Sequence, residues 1–230
     1  MHWQEDETAA PPASGHALTE LSFALDCRCL PVDHNWALAE AISNRLPWLR
    51  EEPLAGVHAI HVAGSQNGWM RPEAPDALLH LSRRTRLSLR LPHARLAAAR
   101  VLSGARLEVA GHAMGLGEAS EKPLQAADIL YARQVACEAH AHEDDFLAWA
   151  AHELGTLLGT VPRKLLPGKA LAVRTPRGPI PTRSLLVADL KPEQATALLR
   201  AGLGDHRRLG LGLFIPHKGI KAVGAATSGG

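Results

Sequence analysis

Residues 202–214 read Gly-Leu-Gly-Asp-His-Arg-Arg-Leu-Gly-Leu-Gly-Leu-Phe and set four glycines around two adjacent arginines. Glycine adopts positive φ angles and allows a close backbone approach, while the planar guanidinium of arginine suits phosphate oxygens. The run therefore predicts a cradle for a phosphate backbone, and a flexible turn with solvated arginines is the alternative. The predicted cradle consists of Gly202, Gly204, Arg207, Arg208, Gly210 and Gly212. It is not a Walker loop, because no Gly-Lys-Ser/Thr follows.

Positive charge is concentrated near the C-terminus. The net charge of the 230 residues is only +2, yet residues 1–162 hold 13 Lys and Arg against 20 Asp and Glu, whereas residues 163–221 hold 12 against 3. The excess of +9 (12 − 3) in this segment predicts a polyanionic partner. Nucleic acid is favoured over a membrane, because the basic residues lie in predicted strands and loops and form no amphipathic helix.

Composition predicts a globular cytoplasmic protein. Hydrophobic residues make up 46% of the chain, enough for a proper core. The three cysteines, Cys27, Cys29 and Cys137, are too few and wrongly spaced for a disulfide framework or a zinc ribbon. Residues 1–15 are acidic and Pro-rich, unlike a signal peptide, and no apolar run approaches the length of a membrane span. We therefore expect neither export nor a membrane partner.

Hydrophobic periodicity predicts a β-α-β-β-α-β order in the first half. Leucines and a phenylalanine alternate with polar residues from residue 21, and Asp33 is placed to cap a helix over 34–46 that Pro47 ends. A second helix is expected over 92–102. The predicted strands cover residues 21–27, 56–62, 86–91 and 105–110, with a turn at 65–68 after the second of them.

The second half repeats this order. Strands are predicted at 128–137, 169–174, 180–188 and 211–215, and helices at 143–158 and 191–201. The fold class is therefore α+β, with two tandem ferredoxin-like domains over residues 18–120 and 126–218, joined near 118–127. The leader, residues 1–17, and the tail, residues 219–230, lack apolar periodicity and are predicted to be disordered.

The chain resembles the RAMP superfamily of CRISPR systems, and within it the endoribonucleases of the variant described for myxobacterial type I systems. The resemblance covers residues 18–217 and rests on the tandem ferredoxin-like pattern, a histidine at the start of the first helix, and four motifs. These are Leu30-Pro-Val-Asp-His-Asn-Trp-Ala-Leu38, Leu46-Pro-Trp-Leu49, Leu165-Leu-Pro-Gly-Lys169, and the Gly202-Leu-Gly and Gly210-Leu-Gly-Leu-Phe214 pair.

The resemblance implies a metal-independent cut of precursor CRISPR RNA, without a cofactor. The 2′-hydroxyl attacks the scissile phosphate and leaves a 2′,3′-cyclic phosphate and a 5′-hydroxyl. The implied partners are precursor and mature CRISPR RNA, through the repeat stem-loop, and the other subunits of a type I effector complex. A non-catalytic RAMP subunit that only packages CRISPR RNA is the alternative, and a ferredoxin-like scaffold for protein or small ligands is a third interpretation.

His34 is the predicted general base. A histidine at the start of a helix is held neutral by the positive end of the helix dipole, and a base must be neutral to accept a proton. The alternative is a surface histidine that merely begins the helix. His58 is the second candidate; His61, on the same predicted strand, points to the opposite face.

Basic residues of the second half are the predicted RNA contacts, and backbone contacts should outweigh base stacking because aromatic residues are few. Besides the cradle, this set comprises Arg163, Lys164, Lys169, Arg174, Arg177 and Arg183, with Arg83, Arg84 and Arg86 from the first half. Trp36, Trp48 and Trp69 remain available for stacking. A metal site at His140, His142, Glu143, Asp144 and Asp145 is disfavoured, because acidic residues suit a helix start and nothing else in the sequence completes a coordination sphere.

Overall fold

Two antiparallel sheets, one from each half of the chain, carry the fold. The structure is a computed structural model that describes residues 17–62, 72, 74–140 and 142–217. The predicted turn at 65–68, the predicted tail, and the predicted leader apart from Ala17 lie outside the described residues, as does Trp69.

The described residues of the first half form seven strands and two α-helices. They are β1 Leu18–Asp26, β2 Cys29–Pro31, α1 Asn35–Arg45, β3 Gly56–Val57, β4 Leu78–His80, β5 Arg86–Pro92, α2 Leu96–Ala99, β6 Arg106–Val109 and β7 His112–Pro123. The main sheet has the order β3-β5-β1-β7-β6, and β2 pairs with β4 in a small separate sheet. Without the edge strand β6, the main sheet has the ferredoxin-like order, in which the first and third strands are central.

Strand β7 corrects the predicted topology of the first half. The predicted fourth strand over 105–110 corresponds to the edge strand β6, while β7 pairs directly with β1. Strand β7 continues to Pro123 and so occupies the first part of the predicted join near 118–127. Its pattern is weak because Gly115 and Gly117 lie against the opposite strand, where a Cβ would come within 3.2 Å of Asp26 and 3.0 Å of Ala24.

Three further elements of the first half have other bounds than predicted, and in the second half the strand predicted over 169–174 begins at Lys164. The strand expected over 56–62 is only the two-residue β3, and the helix expected over 92–102 is the four-residue α2 between two 3-10 turns. Helix α1 begins one residue later than expected, with His34 as its N-cap. Asp33 does not cap it, because its carboxylate accepts the backbone N–H of Arg174 at 3.0 Å.

Over the residues that the structure describes, the second half has the ferredoxin-like order without additions. Its elements are β8 Leu130–Ala136, α3 Glu143–Leu158, β9 Lys164–Val173, β10 Ile180–Ala188, α4 Pro192–Ala201 and β11 Phe214–Pro216. The sheet order is β11-β8-β10-β9. The bounds of α3 and β10 are those that the periodicity predicts, and the α+β class with tandem ferredoxin-like units is confirmed.

A small apolar cluster joins the two halves. Ala39 of α1 packs with Ala136, Val173, Leu209 and Leu211 of the second half, and each half also has a core of its own. Burying a side chain the size of leucine contributes about 1.5–3 kcal/mol, so the junction is held by packing as well as by polar contacts. In the described part of the chain, no helix is both long and apolar enough to cross a membrane.

Candidate nucleic-acid interface

The glycine-rich loop, residues 202–214, packs against the first half of the chain. Gly202, Gly204, Gly210 and Gly212 have φ angles of 71°, 71°, 82° and 68°, as predicted. A Cβ on Gly210 would lie 2.7 Å from the Val57 carbonyl oxygen, and one on Gly212 would collide with the carbonyl of Leu203. These two glycines are therefore explained by close approach within the protein itself.

The two arginines of this loop also have protein partners. The Arg207 guanidinium donates to the carbonyls of Ala201 and of Leu54, the latter at 3.1 Å. Burial, helped by the nearby positive charge of Arg90, lowers the pKa of Arg207 to about 10. Carbonyls of both halves engage the Arg207 guanidinium, and its contact with phosphate stays a prediction.

Arg208 is less enclosed than Arg207. It donates to the carboxylate of Glu40 and lies 5.8 Å from the centre of the Trp36 ring. This hydrogen bond from Arg208 outweighs the effect of burial and lowers the pKa of Glu40, which also accepts from Arg50. Because the Arg208 side chain is partly exposed, its contact with RNA stays a prediction.

His34 lines a cleft at the start of α1, and its role as general base stays a prediction. The side chain is 1% exposed, its Nε2 accepts the Ile60 N–H at 2.9 Å, and its Nδ1 lies 2.8 Å from the Pro31 carbonyl oxygen. A carbonyl can only accept, so Nδ1 carries the proton and the ring is the neutral tautomer. The neutral form is the one that a base requires, and the two contacts also hold the segment that follows β3.

Two clefts open between the halves on either side of that segment. The first, of about 420 Å³, is here called the helix cleft because it lies at the start of α1; its walls include Asp33, Tyr131, Lys169 and Arg174. The second, of about 450 Å³, is called the sheet cleft because its floor is the outer face of the first sheet. Ala59, His61 and Arg133 line both, so the two clefts meet at these residues.

A buried charge cluster lies in the wall of the sheet cleft. Glu20 accepts from Arg90 Nε at 2.8 Å and Nη2 at 2.6 Å, and its Oε1 is 3.0 Å from His58 Nε2. Arg90 is 1% exposed and also donates to the carbonyls of Leu199 and Phe214. His58 therefore contacts Glu20, and its role as a second base stays a prediction.

The Glu20 carboxyl makes stability depend on pH. Burial raises its pKa, but His58 and Arg90 together outweigh burial and lower it from 4.5 to about 2. Ionised Glu20 thus stabilises the fold above about pH 4.5, and this contribution is lost as the pH falls towards 2.

Between pH 6 and pH 3, we expect the free energy of unfolding measured in urea to fall less for Glu20→Gln than for the wild type. An equal loss in both proteins would contradict this account of the pair.

Comparison with known proteins identifies the family. The family described as Cas6 Crispr matches residues 19–219. The chain belongs to the Cas6 family. The CRISPR-associated endonuclease Cas6 of Myxococcus xanthus (strain DK1622) is 30% identical over 197 residues, which cover 86% of this chain and 80% of that protein. The resemblance stated from the sequence is therefore confirmed.

Solved structures agree on the Cas6 fold. A RAMP protein binding different RNA substrates has a TM-score of 0.61 at 13% identity, covering 87% of this chain and 99% of that one. A Cas6-related protein from Pyrococcus furiosus has a TM-score of 0.58 at 12% identity, covering 86% and 97%. At such low identity these structures support the fold alone.

In this Cas6-family chain, the predicted RNA contacts of the second half lie on and around the edge strand β9. Several already have acidic partners: Lys164 pairs with Asp189, Arg174 with Asp76 and Arg183 with Glu143. Arg163 and Arg177 are exposed and form no ion pair with another described residue. Arg83, Arg84 and Arg86 are exposed as well. Lys169 and Arg174 line the helix cleft, and Arg86 lines the sheet cleft. The remaining residues of this set line neither cleft.

The residues weighed for a metal have other contacts in this Cas6-family fold. The His140 ring stacks on Trp149 at 5.4 Å, and Glu143 pairs with Arg183. Across residues 17–62, 72, 74–140 and 142–217, no group of three His, Cys, Asp or Glu is arranged to hold a metal ion.

Sequence reasoning missed Lys122 and Arg133 as cleft residues. Lys122 lies in the predicted join between domains, and Arg133 lies on a strand whose neighbours across the cleft come from the first half. Both are basic residues on the polar face of a strand with alternating hydrophobicity, and that pattern could have indicated them.

Proposed function

We propose that this protein cleaves precursor CRISPR RNA within its repeat. The match of residues 19–219 to the Cas6 family, together with the 30% identical CRISPR-associated endonuclease of Myxococcus xanthus, carries the proposal. By this kinship the chain is an endoribonuclease. The two clefts supply basic side chains between the halves, and Arg133 stands where they meet. A polyanion is the ligand that such clefts favour.

The proposed chemistry needs no metal. A base removes the proton of the 2′-hydroxyl next to the scissile phosphate, the 2′-oxygen forms a bond to phosphorus, and the bond from phosphorus to the 5′-oxygen breaks. The departing 5′-oxygen takes up a proton, so that a 2′,3′-cyclic phosphate and a 5′-hydroxyl remain. Negative charge on the phosphate oxygens is stabilised by nearby cations, which Arg133 and Lys169 supply.

His61 is the proposed base. It is exposed, unlike His34, and it lines both clefts beside Arg133. His34 accepts the N–H of Ile60, the residue immediately before His61, and we therefore assign His34 a positioning role. A neutral imidazole can accept a proton, so histidine suits general base catalysis.

The product is proposed to stay bound through its repeat stem-loop. The +9 charge of residues 163–221 supports tight retention of RNA, because each neutralised phosphate adds to affinity. Retention would let the protein join a type I effector complex with other subunits, in the cytoplasm where the RNA is made.

A cleavage assay on repeat RNA tests the function. We expect cutting at one position with a cyclic phosphate product, unchanged by EDTA, and no cutting when the nucleotide before the scissile phosphate lacks its 2′-hydroxyl. Arrest by EDTA would refute metal independence, and cutting of the 2′-deoxy substrate would refute attack by the 2′-oxygen. Tight binding without any cutting would leave the packaging subunit as the function.

A further inference from the structure

We infer that Cys27 and Cys29 are a redox site at which a hydroperoxide forms a reversible disulfide, and that this disulfide loosens the strand that anchors His34. The pair lies where β1 passes into β2, and neither cysteine lines either of the two clefts. Three features of the pair carry the inference: the contacts of the two thiols, their exposure, and the histidine beside one of them.

The backbone holds the two cysteines close together. Only Arg28 separates them, and the chain bends there between β1 and β2. Two Cα–Cα steps of about 3.8 Å with a bend between them place the Cα atoms within about 7 Å, close to the span of a disulfide. The Cys27 thiol already turns towards its neighbour, because it donates to the Cys29 carbonyl at 3.3 Å. A disulfide therefore needs only a local change in the side chains and the bend.

A histidine from β7 lies beside the Cys29 thiol. His112 Nδ1 is 3.6 Å from Cys29 Sγ, a distance at which a thiol shares a hydrogen bond with an imidazole. An imidazole can take the thiol proton, and the thiolate is the form that attacks an oxidant. The exposed Arg28 adds positive charge next to the pair. Cys29 is therefore the nucleophile of the two cysteines.

Cys27 has the properties of a resolving thiol, which attacks its neighbour after that neighbour has been oxidised. Burial raises the pKa of the Cys27 thiol, so this sulfur keeps its proton while Cys29 reacts. Both thiols are partly exposed, whereas the third cysteine, Cys137, is buried. A small oxidant therefore reaches the pair more readily than it reaches Cys137.

One hydroperoxide oxidises one pair. The Cys29 thiolate attacks the terminal peroxide oxygen, an S–O bond forms, the O–O bond breaks, and the departing alkoxide takes up the proton that His112 holds. The Cys27 sulfur then attacks the Cys29 sulfur of this sulfenic acid, an S–S bond forms, the S–O bond breaks, and hydroxide leaves with the Cys27 proton as water. Two thiols and one hydroperoxide thus give a disulfide, an alcohol and water, and exchange with a small thiol reverses the oxidation.

Oxidation acts on His34 through β2. Pro31, the last residue of this three-residue strand, accepts from His34 Nδ1 at 2.8 Å, and His34 in turn accepts the Ile60 N–H. The disulfide removes the hydrogen bond of the Cys27 thiol and withdraws the Cys29 sulfur from His112. The start of β2 thus loses both sulfur contacts, and in so short a strand the change extends to Pro31.

The test treats the reduced full chain with hydrogen peroxide, blocks the remaining thiols with an alkylating reagent, and identifies the peptides by mass spectrometry. Trypsin cuts after Arg28, so residues 1–28 and 29–45 stay joined only through the disulfide. We expect this linked pair with Cys137 alkylated, and its loss after reduction. In Cys27→Ser a sulfenic acid should accumulate at Cys29, where a 1,3-dione traps it. Three alkylated cysteines, equal oxidation of Cys137, or disulfides between two chains overturn the inference.

His112→Ala tests the role of the histidine, with His80→Ala as the matched control, because His80 pairs in register with Cys29 across the small sheet. We expect His112→Ala to oxidise about tenfold more slowly, since an unassisted thiol is only a few per cent thiolate at pH 7. His80→Ala should oxidise at the wild-type rate, and equal rates in both variants overturn the role of His112. Thermal unfolding of the reduced proteins verifies that each variant is folded.

Hydrogen exchange tests the coupling to His34 without any assay of cleavage. In the oxidised wild type the Ile60 amide, which donates to His34, should exchange faster than in the reduced protein, while the amides of β10 in the second half keep their rates. An unchanged rate at Ile60 in the oxidised protein overturns the coupling. Faster exchange at Ile60 and in β10 alike would show general unfolding and overturn it as well.

Discussion

Replacement of His61 by alanine is expected to slow cleavage of the precursor RNA by about 10²–10⁴-fold, the usual contribution of a general base, while RNA affinity changes little. The side chain is exposed where the two clefts meet, so its loss removes a proton acceptor without disturbing the core. The measurement is the single-turnover rate at saturating protein, alongside a binding isotherm. In the wild type the rate should rise with pH and then level, because only the neutral ring accepts a proton.

His34→Gln is the matched control for this prediction. A glutamine oxygen can accept the Ile60 N–H that Nε2 accepts in the wild type, but an amide cannot serve as a base near neutral pH. We therefore expect slower cleavage with the wild-type pH profile and a lower unfolding temperature. If folded His34→Gln is inactive while His61→Ala cuts at the wild-type rate, the base is His34 and our assignment is wrong. His58→Ala should change the free energy of unfolding, because His58 contacts Glu20, and should keep the wild-type pH profile of cleavage.

Arg90→Ala is expected to reduce the free energy of unfolding by about 3–5 kcal/mol, the cost of removing one partner of a buried ion pair. The variant leaves the Glu20 carboxylate in a buried site and deprives the Leu199 and Phe214 carbonyls of their donor. Urea unfolding at pH 7 measures the change. Arg86→Ala, on the same strand and exposed, is the control and should stay within about 0.5 kcal/mol of the wild type.

The double variant Arg90→Ala with Glu20→Gln separates the charge from the carbonyl contacts. Because it removes the uncompensated carboxylate, we expect it to recover part of the stability that Arg90→Ala loses. Full additivity of the two single changes would show that the pair is not coupled and would contradict our account of this cluster.

Elements that bury one regular face could be predicted from the sequence. Helix α3 buries Phe146, Ala150 and Leu154 at a spacing of four, and strand β10 alternates between buried and partly exposed residues. The local periodicity of the sequence is therefore enough to predict where both elements begin and end. Strand β7 could not be predicted in this way. Its glycines and charged residues make sense only against β1, from which it is separated by nearly a hundred residues.

The candidate site was less predictable than the fold. The sequence correctly indicated a neutral histidine at the start of α1 and positive φ angles in the glycine-rich loop. It could not indicate that the Ile60 N–H donates to His34, that the Val57 carbonyl lies against Gly210, or that the Leu54 carbonyl accepts from Arg207. Such contacts join segments distant in sequence, and a single chain without its fold contains no local pattern for them.

The attachment of the glycine-rich loop to the first half also sets an order of events during synthesis. Arg90 of β5 donates to the carbonyls of Leu199 and Phe214, and Gly210 packs against the end of β3 and the segment after it. The 91 residues from Pro123 to Phe214 (214 − 123) take roughly 5–20 s to translate. The first half must therefore wait on the ribosome with these contacts unmade, and a chain released before its last strand is an incomplete protein open to proteolysis.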